Sequence, residues 1–218
     1  AAVAQGFPVD AGGDEVAVVD SPSPRGNVQL LLGTDGVSYM LHEERNATTS
    51  EISIFVKRSL DRGVTWANWK SIPRAAGESL RLGEALIAEV PNRRLHVIYS
   101  ARPDAFTLSV VRHARLDLAS TSANWEVSTP FSSSSMGFTR PAFAIDSDQF
   151  SFYFIYAAAI ASVCCLDGTD GDLVYARSTD QGSTWTGPIT LVEGGQSPDP
   201  AVYEVHVATS FERVHFAW

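Results

Sequence analysis

Three observations predict an all-β fold of repeated four-stranded antiparallel units, the arrangement of a β-propeller. An eight-residue pattern, S-x-D-x-G-x-T-W, occurs twice. It reads Ser59-Leu60-Asp61-Arg62-Gly63-Val64-Thr65-Trp66 and then Ser178-Thr179-Asp180-Gln181-Gly182-Ser183-Thr184-Trp185. Short apolar segments bounded by turn residues recur over nearly the whole chain. No segment sustains a helical period over three turns, and the nearest, residues 74–86, contains two glycines.

The elements follow in order. A first unit, about 14–74, opens with apolar segments at 15–19 and 28–32 separated by Pro22-Ser23-Pro24. The alternating stretch 52–58 then leads into the first copy of the pattern and on through Pro73. A second unit, about 75–135, has segments at 85–90 and 95–99 around the turn Pro91-Asn92. Its run from Val110 to Asp117, continuing to Asn124-Trp125, reads as an altered third copy with the Gly-x-Thr lost and the turn lengthened. Asp61, Asp117 and Asp180 are 56 and 63 residues apart, a spacing suited to whole units. A third unit, about 136–195, has segments at 142–145 and 150–156 around Asp146-Ser147-Asp148. It ends in the second pattern, which continues through Pro188. Two further segments, 201–207 and 214–218, begin a fourth unit at 196–218.

Composition narrows the function. The 218 residues are 44% apolar and 19% charged, enough for a sizeable core and too few charges for a disordered chain. The net charge of −9 argues against a nucleic-acid partner, which requires a basic stripe. No run reaches the roughly 20 apolar residues of a membrane span, the longest (150–165) being interrupted by polar residues. The first residues, Ala1-Ala2-Val3-Ala4-Gln5, read as a mature or trimmed end rather than a signal peptide.

The repeated pattern has a physical reading as a self-contained turn. The Asp accepts hydrogen bonds from its own turn, the Gly supplies φ > 0, the Thr caps through its hydroxyl, and the Trp anchors the returning strand. Ser59, Asp61, Gly63, Thr65 and Trp66, with Ser178, Asp180, Gly182, Thr184 and Trp185, are therefore assigned a structural role. These residues resemble the Asp-box, or bacterial neuraminidase repeat, of the sialidase superfamily. The resemblance implies a turn between the third and fourth strands of a propeller blade, away from the active centre. It also implies a six-bladed ring. Three units and part of a fourth do not close one, so further blades or self-association are expected to complete it.

The resemblance further implies a sialidase-type glycoside hydrolase as one reading. Three arginines would grip a sugar carboxylate, a Tyr with a Glu beside it would be the nucleophile, and an Asp would be the acid/base. Arg140, in Phe138-Thr139-Arg140-Pro141 at a unit start, is the candidate substrate-binding residue, although the expected Ile is missing and it stands in the third unit. Arg81 and Arg112 carry no local mark of such a set. Tyr203-Glu204 are neighbours on one strand and point to opposite faces, so no catalytic residue is assigned.

No cofactor or metal is assigned either. Asp167, Asp170 and Asp172 form an acidic Gly-rich loop without the Ca²⁺-loop spacing. The five histidines are scattered and mostly strand-borne. The adjacent Cys164 and Cys165 leave open free thiols, a vicinal disulfide or a bond to another chain. Asn46-Ala47-Thr48 is a glycosylation sequon. The expected function is an extracellular binding, display or assembly module with a glycan or neighbouring chains as partner. The alternative is an exo-sialidase whose site is completed by missing blades.

Overall fold

In a computed structural model, the structure describes residues 25–88, 93–102, 110–120, 123–132, 137–145, 153–160, 171–192, 206–210 and 213–217. Four strands, β1 (Arg25–Leu32), β2 (Ser38–Arg45), β3 (Ile52–Ser59) and β4 (Ala67–Ser71), form an antiparallel sheet in that order. The next four, β5 (Ser79–Ala88), β6 (Arg94–Arg102), β7 (Val110–Asp117) and β8 (Glu126–Phe131), repeat it. So do β9 (Gly137–Ile145), β10 (Tyr153–Ile160), β11 (Gly171–Ser178) and β12 (Thr186–Val192). A hairpin of β13 (His206–Ser210) and β14 (Arg213–Ala217) follows.

The first strands are neighbours across sheets: β1 lies against β5, β5 against β9 and β9 against β13. The sheets therefore stand face to face with their first strands innermost, which is propeller packing. Both copies of the repeated pattern connect a third strand to a fourth, and residues 118–125 make the same connection in the second sheet.

One expectation about strand order is corrected. Segment 28–32 was read as the second strand of its unit, but it belongs to β1, the first strand of its sheet, while 15–19 lies outside the described residues. The true second strand, β2, escaped sequence reading because its first six residues are all buried. With both faces covered, the two-residue alternation that marks a strand disappears.

Two cores fill the spaces between sheets. Tyr39, Leu41, Ile54 and Val56 of the first sheet pack against Leu80, Leu82, Leu95, Val97 and Tyr99 of the second. Ile98, Val111 and Phe131 pack against Phe143, Val174 and Ala176 of the third. Strand β6 serves both: Leu95, Val97 and Tyr99 face one way and Ile98 the other. A register slip of one residue would exchange the two sets.

The innermost strands are sheet edges, so half of their backbone groups have no strand partner. Each is also irregular at a corresponding place: between Arg25 and Val28, between Leu82 and Glu84, and between Thr139 and Ala142. Side chains from the preceding sheet bond to the open edges of β5 and β9. Glu43 Oε1 accepts the Leu82 N–H at 2.7 Å, and Asn27 donates to the Leu82 carbonyl at 3.2 Å. Gln29 donates to the Gly83 carbonyl at 2.7 Å and accepts the Ala85 N–H at 2.7 Å. One sheet on, Glu84 Oε2 accepts the Phe143 N–H at 2.6 Å.

Strands β5 and β9 approach so closely that a Cβ on Gly83 would lie 2.5 Å from both Cγ and the carbonyl oxygen of Pro141. Gly83→Ala is therefore expected to cost about 1–3 kcal/mol by overpacking. The urea midpoint should fall with an unchanged m-value, and an unshifted midpoint would show that the inner strands separate freely.

Candidate functional site

In an antiparallel meander, the connections after first and third strands share one end of the sheet, and those after second and fourth strands share the other. The repeated turns occupy the first end. In the earlier turn, Asp61 Oδ1 accepts the Thr65 N–H at 2.8 Å and the Ser59 hydroxyl at 2.7 Å, while Oδ2 accepts the Thr65 hydroxyl at 2.6 Å. The Gly63 N–H donates to Ser59 Oγ at 2.7 Å. Asp180 makes the corresponding bonds with Thr184 and Ser178 at 2.8, 2.6 and 2.8 Å.

The reversal takes two consecutive left-handed residues where the sequence suggested one. Arg62 and Gly63 have φ of 59° and 95°, and Gln181 and Gly182 have 59° and 79°. The Thr65 hydroxyl and amide and the Ser59 hydroxyl draw the Asp61 carboxyl down to about 2. At Asp180 slight burial pushes upward, and the bonds from Thr184 and Ser178 outweigh it to reach about 2. Both carboxylates stay charged until the pH falls below the ordinary 3.8 toward 2, and only there would the turns lose them.

The two turns differ in what they hold. Trp66 Nε1 donates to the carbonyl of Gly63 in its own turn at 3.0 Å. Trp185 Nε1 instead donates to Ser128 Oγ of β8 at 3.0 Å, and that hydroxyl donates to the Gly182 carbonyl at 3.0 Å. The same carbonyl faces His113 Nδ1 at 3.3 Å, and His113 Nε2 lies 2.9 Å from His96 Nδ1. Both imidazoles are fully buried, nearly parallel at 5.1 Å, and Trp185 meets His113 edge-on. A Cβ on Gly182 would lie 2.3 Å from His113 Cε1, so only glycine fits under this ring. Burial drives the His113 imidazole down to about 3 and, with the nearby His113, holds His96 well below its usual value.

The opposite end carries arginine–glutamate pairs, some within the second sheet and some reaching the first. Glu78, 2% exposed, takes both guanidinium nitrogens of Arg112, at 2.9 and 2.7 Å, and the Ala75 N–H at 3.1 Å. Arg74 joins the Glu78 carbonyl to Glu51 at 2.9 and 2.8 Å. Arg81 reaches Glu43 at 3.2 Å and, at 55% exposed, is the most open of the arginines in described ion pairs. Burial pushes the Tyr99 hydroxyl up to about 12 against the lowering pull of Arg112, so this phenol is neither accessible nor ionisable near neutrality.

The sequence-derived candidates fall unevenly on this frame. Arg140 lies in the irregular stretch of β9, with its side chain outside the described residues. Cys164, Cys165, Asp167, Asp170, Tyr203 and Glu204 also lie outside, as does the side chain of Asp172. Asn46 is exposed, its Oδ1 accepting the Thr48 and Thr49 N–H groups at 2.8 and 3.0 Å. Among the described residues, no group of three His, Cys, Asp or Glu is placed to hold a metal ion, and no helix is long and apolar enough to cross a membrane. Sequence reading missed Glu43, Glu78 and the His96–His113 pair. The available signal was polar residues inside apolar strands, which marks burial but not pairing.

Removing the Glu78 carboxylate leaves Arg112 facing a buried gap. Glu78→Ala is expected to cost about 3 kcal/mol, the low end for breaking a buried pair because Arg112 is 25% exposed. Chemical denaturation measures it. Asp180→Ala should lower the melting temperature more than Asp61→Ala, since only the later turn is bonded to a neighbouring sheet. Equal shifts in the two variants would overturn that ordering.

No protein-family model matches this chain, and neither does any curated protein. Solved structures do match in fold. The α-L-arabinanase of Penicillium chrysogenum, complexed with arabinobiose, is similar with a TM-score of 0.54 at 18% identity, over 78% of this chain and 51% of that one. The α-L-arabinofuranosidase Arb93A of Fusarium graminearum, with an iminosugar inhibitor, gives 0.58 at 12% identity over 84% and 52%. A family PL25 polysaccharide lyase, an ulvan lyase, gives 0.58 at 13% identity over 83% and 46%. The chain thus spans about half the length of the structures it matches, and the likeness establishes an all-β propeller fold shared with carbohydrate-active enzymes.

Proposed function

We propose that this chain is a carbohydrate-directed propeller module, acting outside the cell as a binding, display or assembly unit rather than completing a reaction by itself. The observation that carries the reading is the state of Glu43 and Glu78. Both are buried at the end opposite the repeated turns, and both spend their oxygens on arginines and backbone of adjacent segments. A catalytic carboxylate must reach the scissile bond and exchange a proton with it. Glu43 holds the first two sheets together instead, and Glu78 braces the second sheet against the segment that leads into it.

Arg81, exposed beside them, is the group that would meet a sugar hydroxyl or carboxylate through charge-assisted bonds. The repeated turns are Asp-boxes in this reading, structural and remote from the glycan, and the likeness to carbohydrate-active enzymes supports the class of ligand. A second reading, a glycoside hydrolase whose site is completed by further blades, is favoured by the span of about half of each matching structure. A sialidase-like activity using Arg140 is its narrowest form.

Titration calorimetry against arabino-, ulvan- and sialo-oligosaccharides tests the proposal. Binding to at least one is expected, weakened roughly tenfold or more in Arg81→Ala, in line with the loss of one charge-assisted hydrogen bond. No fluorophore release from aryl arabinofuranosides or sialosides is expected. Turnover abolished by Arg140→Ala would replace the first reading with the second.

A further inference from the structure

We propose that the His96–His113 pair is an acid-sensitive joint that couples the second sheet to the third and releases it on protonation. The bonding pattern carries the argument. The Gly182 carbonyl only accepts, and the Ser128 hydroxyl, 3.4 Å from His113 Nδ1, gives its proton to that carbonyl at 3.0 Å, so Nδ1 bears a proton and a neutral His113 has a bare Nε2. His96 Nδ1 donates into that nitrogen at 2.9 Å. One proton lies between the rings, and there is no room for two. The first added proton therefore goes to His96 Nε2, a charge placed in the fully buried core, and a second, on His113 Nε2, would set N–H against N–H across that distance.

Among the described residues the charged surroundings oppose a further proton, and from β5 the Glu84 carboxylate is already engaged by the Phe143 N–H at 2.6 Å. Both rings are fully buried, and the charged groups that act on them are Arg94 of β6 and Arg115 of β7, each opposing a further positive charge. Glu126 of β8 is engaged by Arg115 Nε at 2.6 Å, and Asp180 in the turn is held by Thr184 and Ser178. From β9 the described neighbour is Phe143, which is apolar. Arg115 also donates to the Gln181 carbonyl at 2.8 Å, so β7, β8 and the turn 178–185 meet at this one place. No described histidine pair stands at the first joint, where Lys70 of β4 donates to the Ala123 carbonyl at 2.9 Å.

The sign follows from the neutral rings. A histidine kept neutral when folded binds its proton only on unfolding, so its contribution is complete above pH 6.5 and is lost as the pH falls below. Each such histidine raises the unfolding constant about tenfold per pH unit there, and the pair about a hundredfold.

Urea unfolding of the whole chain between pH 7.5 and 5.0 tests this, wild type beside His113→Gln, whose amide can still donate to Gly182. The wild-type constant should climb about tenfold more per pH unit than that of the variant. His42, buried in the first sheet, is present in both and cancels. Equal pH dependence in the two proteins would overturn the proposal. Should the variant not fold, hydrogen exchange of the wild type, corrected for intrinsic rates, decides. At pH 5.5, amides of 126–131 and 178–185 should lose protection before those of 38–45 and 52–59, and uniform loss across the sheets would overturn the joint.

Discussion

Five hydrogen bonds at the inner edge of the blades set the geometry on which everything else rests. A propeller blade must present one strand to the axis without a partner strand, and that strand brings amides and carbonyls that are costly to leave unbonded. In this chain the strand is kinked so that the unpaired groups face the preceding blade. Glu43, Asn27, Gln29 and Glu84 then serve as substitutes for a strand partner. The apolar cores supply most of the favourable free energy of burial, but they are tolerant of sliding. The polar contacts are directional and fix how far one sheet stands along the next.

That division of labour explains the unusual carboxylates. Glu43 is buried because the Leu82 amide needs an acceptor, and Arg81 is retained because a buried carboxylate needs a counter-charge. Glu78 and Arg112 make such a pair within the second sheet, and Arg74 ties the Glu78 carbonyl to Glu51. The end that faces away from the repeated turns thus has its described buried carboxylates paired with arginines.

Much of the architecture was legible in the sequence because its signals are local. The pattern at 59–66 and 178–185 writes its hydrogen bonds into adjacent residues, and so the turn's chemistry could be read without knowing any contact. Strand β2 could not be read, since burial on both faces erases alternation. The site was less legible still. His96 and His113 are 17 residues apart and Glu43 and Leu82 are 39 apart, and nothing in either neighbourhood announces a partner. Arg140 stands in a short motif and its side chain lies outside the described residues, whereas Arg81 and Arg112, held in described ion pairs, carry no such mark.

The two copies of the pattern also hold their tryptophans differently, and this has a consequence for observing the molecule. Trp66 is bonded to its own turn, so its emission reports only on eight residues of hairpin. Trp185 is bonded to the preceding blade and sits edge-on to a histidine that quenches differently when charged. One repeated sequence therefore provides two built-in optical probes, one reading a local reversal and the other reading whether two blades are in contact.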